Sequence, residues 1–466
     1  MLRWCRSVVG LGLMTRAPPK NPLIAIIGAT GTGKSELAVA LAQRYNGEVI
    51  NGDAMQLYEG LSIITNKITV EERKGVPHHL LGCIGLNEPT WVVGTFVKKA
   101  IGVIEEIRSR GKLPILVGGT HYYTQSLLFK DALAITKDAD TSTEAQDLVS
   151  DLVAKYPVLN ESDERLMEEL EKVDPVMARR WHPKDRRKIQ RSLEIWLQTG
   201  RRASDLYAEQ REAKNATTGV SSDSTPGLRY PSLVFWIHAE TETLRERLDQ
   251  RVDKMLLNGL LGEVEHLDNL LESNGSAETS MDETKGISVS IGFKEFRTYT
   301  AALREASYSE MELSRMREDA VERTKIATRQ YAKRQVRWIQ RKLISDLDDT
   351  DARESLYLLD GTDASSFNSS VVEQATQLTD DFLTATPMPA PSSLSDIAKD
   401  MLQFKQGSQF STATQSWIRE RCQLCDVTCV TEKSWAQHLR SRAHRRLESK
   451  QRILNTINTG REQEHG

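Results

Sequence analysis

Residues 28–35 read GATGTGKS, in which Gly28-x4-Gly33-Lys34-Ser35 has the spacing of the P-loop template. Glycines at those intervals let successive backbone N–H groups turn inward and face an anion, so the segment is expected to bind something phosphorylated. Lys34 would neutralise phosphoryl oxygens, and Ser35 is placed to hold a Mg2+ that bridges them. The flanks agree, with the apolar run LIAII before the loop and the helical pattern ELAVALAQ after it. An ATPase usually carries an acid at the end of a neighbouring apolar strand, whereas PILVGG ends in glycines. The phosphate therefore belongs either to a nucleotide being hydrolysed or to a substrate for which diphosphate is only the leaving group.

Asp53 follows the apolar stretch EVIN in EVINGDAMQLY and is expected to close a short strand. One reading makes it a helix N-cap. The other, with TNK and VPHHLLG downstream, makes it a carboxylate beside the phosphate site that accepts a proton from a nucleophile. His78 and His79 are adjacent in sequence and make a poor chelate, so a structural or hydrogen-bonding role is expected for them. Near the C-terminus, Cys422-x2-Cys425-x12-His438-x5-His444 supplies two thiolates on a knuckle and two imidazoles on one face of a helix. That set can close a tetrahedral zinc site. Cys429 is the spare thiol, expected as a partly buried finger residue. Arg440, Arg442, Arg445 and Arg446 surround the second histidine, where they could hold RNA backbone or serve a protein partner.

The elements that must position these groups alternate between strand and helix. A strand at 23–28, a helix at 34–45, a short strand ending at Asp53, a helix near 95–110 and a strand at 114–117 open an α/β fold with a parallel sheet. Ligands of such sheets collect at the carboxyl ends of strands, so residues 28–35, Asp53 and Thr120 are expected to converge. SLVFWIHAE reads as a further core strand, followed by one helix through TETLRERLDQRVDKMLLNGLLGEVEHLDNLL. Residues from about 140 to 215 read as a charged helical insertion, and the polar stretches 213–227 and 273–285 as surface loops. A helix is expected at 371–384. The expected division is a leader at 1–21, a core at 22–345, an acidic segment at 346–384, a Pro/Ser/Ala linker at 385–415, a finger at 416–450 and a tail at 451–466.

The formal net charge of −3 hides strong segregation. Residues 323–342 hold eight Lys or Arg and no acid, while residues 346–381 hold ten Asp or Glu against one Arg. A polyanion would bind the first segment, on which Arg323, Arg334, Arg337 and Arg341 fall on one side at helical spacing. No run approaches the roughly 18 apolar residues of a membrane span. Three of the five cysteines crowd at 422–429, which suits a reduced compartment with one metal site rather than a disulfide framework. The first 35 residues lack any acid, and Arg3, Arg6, Arg16 and Lys20 punctuate them like a mitochondrial transit peptide. Initiation at Met14 would delete most of that leader, so mitochondrial and cytoplasmic pools are expected, with the nucleus as a further compartment.

GATGTGKS, EVINGDAMQLY, GVPHHLLG, PILVGGTHYY, HPKDRRKIQRSLEIWLQTG, RVDKMLLNGLLGEV, SIGFKEF and TRQYAKRQVRW occur in the order and approximate spacing of the tRNA dimethylallyltransferase (isopentenyltransferase) family. The resemblance covers roughly residues 22–345. It implies a P-loop NTPase-like parallel sheet core with a helical tRNA-binding insertion, and the terminal finger is similar to the matrin or U1-type fingers of eukaryotic members. It further implies that Gly28, Thr30, Gly31, Thr32, Gly33, Lys34 and Ser35 hold the diphosphate of dimethylallyl diphosphate. The prenyl group would move to the exocyclic amine of the adenosine immediately 3′ of the anticodon. An adenine amine is a weak nucleophile, so a base must take its proton as the C–N bond forms, and Asp53 is the candidate. Lys34, a Ser35-bound Mg2+ and an arginine, Arg247 or Arg251, would stabilise the departing diphosphate, with Thr120 supplying a hydroxyl. The tRNA anticodon stem-loop would contact Asp53, Ala54, Met55 and Gln56, and Arg187, Lys188, Gln190 and Arg191, with Arg334 and Arg337 from the basic helix. A monomer is expected. Ala29 and His121 depart from the commonest family residues without removing any group the chemistry needs. A small-molecule kinase lacks support from a lid arginine cluster, and a non-catalytic RNA-binding adaptor is disfavoured by intact Lys34, Ser35 and Asp53.

Overall fold

The computed structural model describes residues 17–130, 156–216, 227–274, 286–305, 307–402 and 417–451. The chain divides into two compact units, Met1–Leu133 with Ser222–Phe404 and Ala134–Ser221 with Lys405–Gly466. In the first, β1 (Leu23–Gly28), β2 (Gly47–Asn51), β3 (His78–His79), β4 (Leu113–Val117), β5 (Ser232–His238) and β6 (Leu356–Asp360) form one sheet in the order β3-β2-β4-β1-β5-β6. Every pairing is parallel. From β1 the chain runs out to β2 and β3, returns to β4 beside β1, and then crosses to β5 on the opposite side. The crevice at the carboxyl end of β1 is thus the switch point where ligands of such sheets bind.

Parallel strands covered on both faces need apolar residues throughout, and LIAIIG is buried along its whole length. Leu23, Ala25 and Ile27 enter a core layer with Trp236, Phe96 and Phe293. Ile24 and Ile26 enter the opposite layer with Leu37, Phe235 and Phe367. The edge strand β3 is fixed by polar contacts. Glu48, only 2% exposed, meets His79 Nε2 at 2.6 Å, Arg110 at 2.6 Å and Lys112 at 2.7 Å. Burial alone would raise the Glu48 carboxyl, but hydrogen bonds from Lys112, Arg110 and His79 outweigh it and bring it down to about 2. His78 meets the Val76 carbonyl at 2.8 Å, so the histidine pair serves the sheet edge.

Several expected boundaries move. The second strand ends at Asn51, and Asp53 lies in the loop beyond it. The helix expected through residue 271 is two helices, Thr241–Leu257 and Leu260–Asn274, parted at Gly259, whose φ of 104° belongs to glycine. The expected loop at 213–227 begins later, because the helix Ala203–Ala216 runs through its first residues. The range read as a linker starts with ordered chain. The helix Asp396–Leu402 buries Ala398 and Leu402 in the first core layer, an apolar pairing that the Pro/Ser/Ala composition obscures. Residues 1–16, 403–416 and 452–466 lie outside the described residues, as do most of the two polar stretches.

The second unit joins the helical insertion to the finger. Helices Asp163–Val173, Pro175–Arg180 and Arg186–Thr199 pack through Leu166, Leu170, Met177, Ile189 and Leu193. Buried Asp174 caps Met177 N–H at 3.1 Å and also accepts from Ser204 N–H at 2.8 Å. The finger is a hairpin, β7 (Trp417–Arg421) and β8 (Thr428–Thr431), followed by the helix Glu432–Leu439. It docks on the insertion, with the Arg180 guanidinium 5.3 Å from the Trp417 ring centroid and an ion pair between Arg419 and Glu171. So small a hairpin and helix hold little apolar area, and Trp417 is covered by a neighbouring guanidinium.

Candidate active site

The loop after β1 has the glycine conformations that its sequence demands. Gly28, Gly31 and Gly33 have φ of 145°, 84° and 89°. A side chain at Gly28 would put a Cβ 2.4 Å from the Ile237 carbonyl oxygen, and one at Gly33 would strike the Phe367 ring at 2.5 Å. Thr32 is buried and donates to the Ala29 carbonyl at 2.9 Å, so its hydroxyl is engaged within the loop. Gly33 then caps the helix Lys34–Arg44, whose first-turn N–H groups and positive dipole end favour an anion. Lys34 Nζ folds back onto the Ala29 carbonyl at 2.7 Å, and Ser35 is exposed on the first turn with no hydrogen bond among the described residues.

Two further turns meet this loop. Buried Asn51 fixes the first, accepting the Asp53 N–H at 3.0 Å and donating to the Asp53 and Leu80 carbonyls at 3.1 and 2.8 Å. Asp53 Oδ1 accepts Met55 N–H at 3.0 Å in an Asx turn that leads into the short turn Met55–Leu57, whose N-cap is Ala54 and not Asp53. The other carboxylate oxygen faces Gly119, where a Cβ would come within 3.0 Å of Oδ2. The second turn is Gly118-Gly119-Thr120 after β4, and Thr120 Oγ1 accepts Ala54 N–H at 3.0 Å. Residues 28–35, Asp53 and Thr120 thus converge at the carboxyl edge of the sheet. Farther along the Asp53 loop, Glu263 accepts Ile63 N–H at 3.0 Å and Ile64 N–H at 2.7 Å, and Gln56 donates to the Asn66 carbonyl at 3.0 Å.

The long helix Glu310–Trp338 and the helix Thr241–Leu257 complete the surroundings. Arg251 Nη1 donates to Thr30 Oγ1 at 2.8 Å, whereas Arg247 turns to the carbonyls of Gly361 and Thr362 and braces the loop after β6. Of the two arginines, Arg251 is therefore the one at the glycine loop. Gln335 accepts Thr30 N–H at 2.8 Å and donates to the Gly119 carbonyl at 2.8 Å. Tyr331, one turn earlier, also reaches Gly119 and Thr120. Sequence reading missed both because their segment is dominated by positive charge. The signal is the stripe Ala320, Thr324, Thr328, Ala332 and Gln335, the buried face of that helix.

Enclosure sets the electrostatics. Burial raises the Asp53 carboxyl above its ordinary value, against the opposing pull of the Met55 N–H and the charges of Lys34 and Arg251. Burial lowers the Lys34 ammonium to about 8, with Asp53 opposing the shift and Arg251 adding to it. His121, 5% exposed, is held neutral, its pKa brought down to about 3 by burial and by Lys34, and neither ring nitrogen has a hydrogen-bond partner among the described residues.

The residues expected to meet RNA stand on their own units. On the sheet unit, Ala54, Met55 and Gln56 are half-buried beside Asp53, and Arg334 and Arg337 are exposed without an ion pair among the described residues. Arg323, expected on the same binding side, is paired with Asp319 at 2.8 Å. The insertion presents Arg187, Lys188 and Arg191 exposed and Gln190 half-buried on one helix, with Lys188 paired to Asp185 and Arg191 to Glu194.

In the finger, the ligand atoms of Cys422, Cys425, His438 and His444 all lie within 4.8 Å of one another. His444 Nδ1 is 3.6 Å from Cys422 Sγ and 3.3 Å from Cys425 Sγ. Those edges suit a tetrahedron with metal–ligand bonds of about 2.0–2.3 Å. His438 Nε2 is buried beside the Cys422 thiol without a geometrically formed hydrogen bond among the described residues, a donor position that zinc would fill. The two histidines do not share one helix face. The helix ends at Leu439, and His444 stands on the next helical segment, because six residues carry a side chain about 240° around a continuous helix. Cys429 is buried on β8 outside the cluster.

Chelating this zinc is expected to unfold residues 417–451 and also to loosen the Pro175–Arg180 turn that carries the Trp417 contact. Amide hydrogen exchange reads both effects. Unchanged protection around Arg180 would show that docking adds nothing to the insertion.

A six-stranded parallel sheet with a glycine-rich loop, a carboxylate and an arginine gathered at the end of β1 defines an α/β protein of the enzyme type. The chain belongs to the IPP transferase family, which residues 56–342 match, while residues 21–84 match isopentenyl transferase and residues 421–444 a zinc-finger of C2H2 type. It is 38% identical to the tRNA dimethylallyltransferase of Schizosaccharomyces pombe over 91% of this chain and 94% of that protein. With the human tRNA dimethylallyltransferase it shares 34% identity over 94% of this chain and 88% of that protein. A solved eukaryotic dimethylallyltransferase acting on tRNA is similar with a TM-score of 0.73 at 32% identity, covering 95% of this chain and 100% of that one.

Proposed function

We propose that the protein transfers a dimethylallyl group from dimethylallyl diphosphate to the exocyclic N6 amine of the adenosine immediately 3′ of the tRNA anticodon, releasing diphosphate. The observation that carries this reading is the placement of Asp53 and Thr120 in adjoining turns beside a lysine-bearing glycine loop. Asp53 accepts the amine proton as the C–N bond forms and the C–O bond to diphosphate breaks. Loop N–H groups, Lys34 and Arg251 meet the charge that collects on the leaving diphosphate. To reach these groups the adenosine leaves the anticodon-loop stack. The exposed hydroxyl of Ser35 suits a Mg2+ held jointly with diphosphate oxygens, which would add positive charge at the leaving group. Arg334 and Arg337 on one unit and Arg187, Lys188, Gln190 and Arg191 on the other supply RNA contacts to a protein that acts as a monomer.

Incubation with labelled dimethylallyl diphosphate or γ-labelled ATP, with and without tRNA, tests the reading. Label is expected to pass from the prenyl donor to tRNA. Transfer from ATP to a small molecule would instead identify a kinase, and binding of RNA without transfer of either label would identify an adaptor.

The acid-free leader at residues 1–21 supports targeting to mitochondria, with cytoplasmic and nuclear pools arising from Met14. Deleting residues 1–13 is expected to shift the protein to cytosol or nucleus at unchanged specific activity. Identical distributions of full-length and truncated forms on imaging would show that the leader is inert.

A further inference from the structure

We propose that Gln335 is a positioning residue that sets the separation between the diphosphate loop and the turn carrying the proton acceptor, and with it the alignment of the reacting carbon with the amine. This rests on the transferase reading of the site. The two loops leave adjacent strands, whose register ends at Ile26 and Val117 and whose last backbone bond runs from Gly118 N–H to the Ile26 carbonyl at 3.3 Å. Beyond it, the Gln335 amide joins them. Its Oε1 accepts Thr30 N–H and its Nε2 donates to the Gly119 carbonyl, each at 2.8 Å.

The surroundings are built for that bridge. Gln335 is 4% exposed. Thr324 and Thr328, on the same buried stripe, turn their hydroxyls back to helix carbonyls at 2.8 Å, so neither reaches across. Gly119 admits the amide because a Cβ there would lie 2.6 Å from Nε2. Thr30 is held a second time through its hydroxyl by Arg251, and Gly119 a second time by Tyr331. Both ends of the bridge thus have a second contact, and the amide length sets the gap. A misplacement of about 1 Å between reacting groups can cost roughly a hundredfold in rate.

Single-turnover prenyl transfer at saturating substrates, with inorganic diphosphate affinity measured alongside, tests the proposal. Gln335→Met keeps the bulk and loses both hydrogen bonds. It is expected to slow transfer roughly tenfold to a hundredfold while diphosphate affinity stays within about threefold. Gln335→Glu gives a signature that packing alone would not. A protonated carboxyl offers one O–H and one C=O and can make both bonds, whereas a carboxylate cannot donate to Gly119. The ratio of variant to wild-type rate is therefore expected to rise toward one at low pH and to fall as pH rises through the pKa of the new carboxyl. Asp53, Lys34, His121, Arg251, Tyr331 and Arg334 are the titratable groups around the bridge. Because a carboxylate at 335 couples to Asp53 beside it, the ratio is measured also for Gln335→Met, whose side chain adds no charge and whose ratio is expected to stay flat with pH. A wild-type rate in Gln335→Met, or a pH-independent ratio in Gln335→Glu, overturns the proposal. Should Gln335→Glu fail to fold, Gln335→Asn carries the test, since its amide falls one methylene short and a wild-type rate would again overturn it. Absence of transfer by the wild-type protein would overturn the transferase reading instead.

Discussion

Replacing Asp53 with asparagine is expected to slow single-turnover prenyl transfer by at least roughly a hundredfold while leaving affinity for dimethylallyl diphosphate nearly unchanged. The amide keeps the shape of the side chain and the acceptor that caps Met55 N–H, so the turn holds, but it cannot take the amine proton. The pH dependence follows from the burial that raises the Asp53 carboxyl. A proton acceptor must be ionised, so the wild-type rate falls as pH drops through that raised pKa, and Asp53→Asn should erase the acid limb. A single-turnover rate near wild type would remove Asp53 from the base role.

Lys34→Ala combines a loss of binding with a loss of rate, because the ammonium meets charge both in the bound diphosphate and in the leaving group. A charge-assisted hydrogen bond contributes about 1.5–3 kcal/mol, which corresponds to a rise in Kd for dimethylallyl diphosphate of roughly tenfold to a hundredfold. Burial brings Lys34 down to about 8. Wild-type affinity should therefore weaken as pH rises through that value, with proton uptake on binding above it, and the variant should show neither. Calorimetry in buffers of different ionisation enthalpy measures both. Unchanged prenyl-diphosphate binding with loss of ATP binding would assign the loop to a nucleotide.

Some of this site is written in short stretches of chain. GATGTGKS demands positive φ at three glycines, an apolar strand before them and a helix after, and all three demands are met locally. The zinc ligands are legible for the same reason, since a knuckle and a following helix place their donors within one small fold. The two oxygens of Asp53 are placed differently, one accepting Met55 N–H and the other turned toward Gly119 beside the glycine loop.

Sequence alone determined the glycine loop, the parallel α/β class, the zinc ligands and the family, because the first three rest on backbone conformation, hydrophobic period or fixed spacing along the chain and the last on eight motifs in order over roughly residues 22–345. Tertiary structure alone decided that Arg251 and not Arg247 reaches Thr30, for the two lie one helical turn apart and only the position of β6 shows that Arg247 is already engaged. It also decided that the finger rests on the insertion through Trp417 and Arg180, residues far apart in the chain. The Gln335 bridge to Thr30 spans 305 positions. No local pattern encodes such a meeting, because it depends on strand order and on which face a distant helix turns inward.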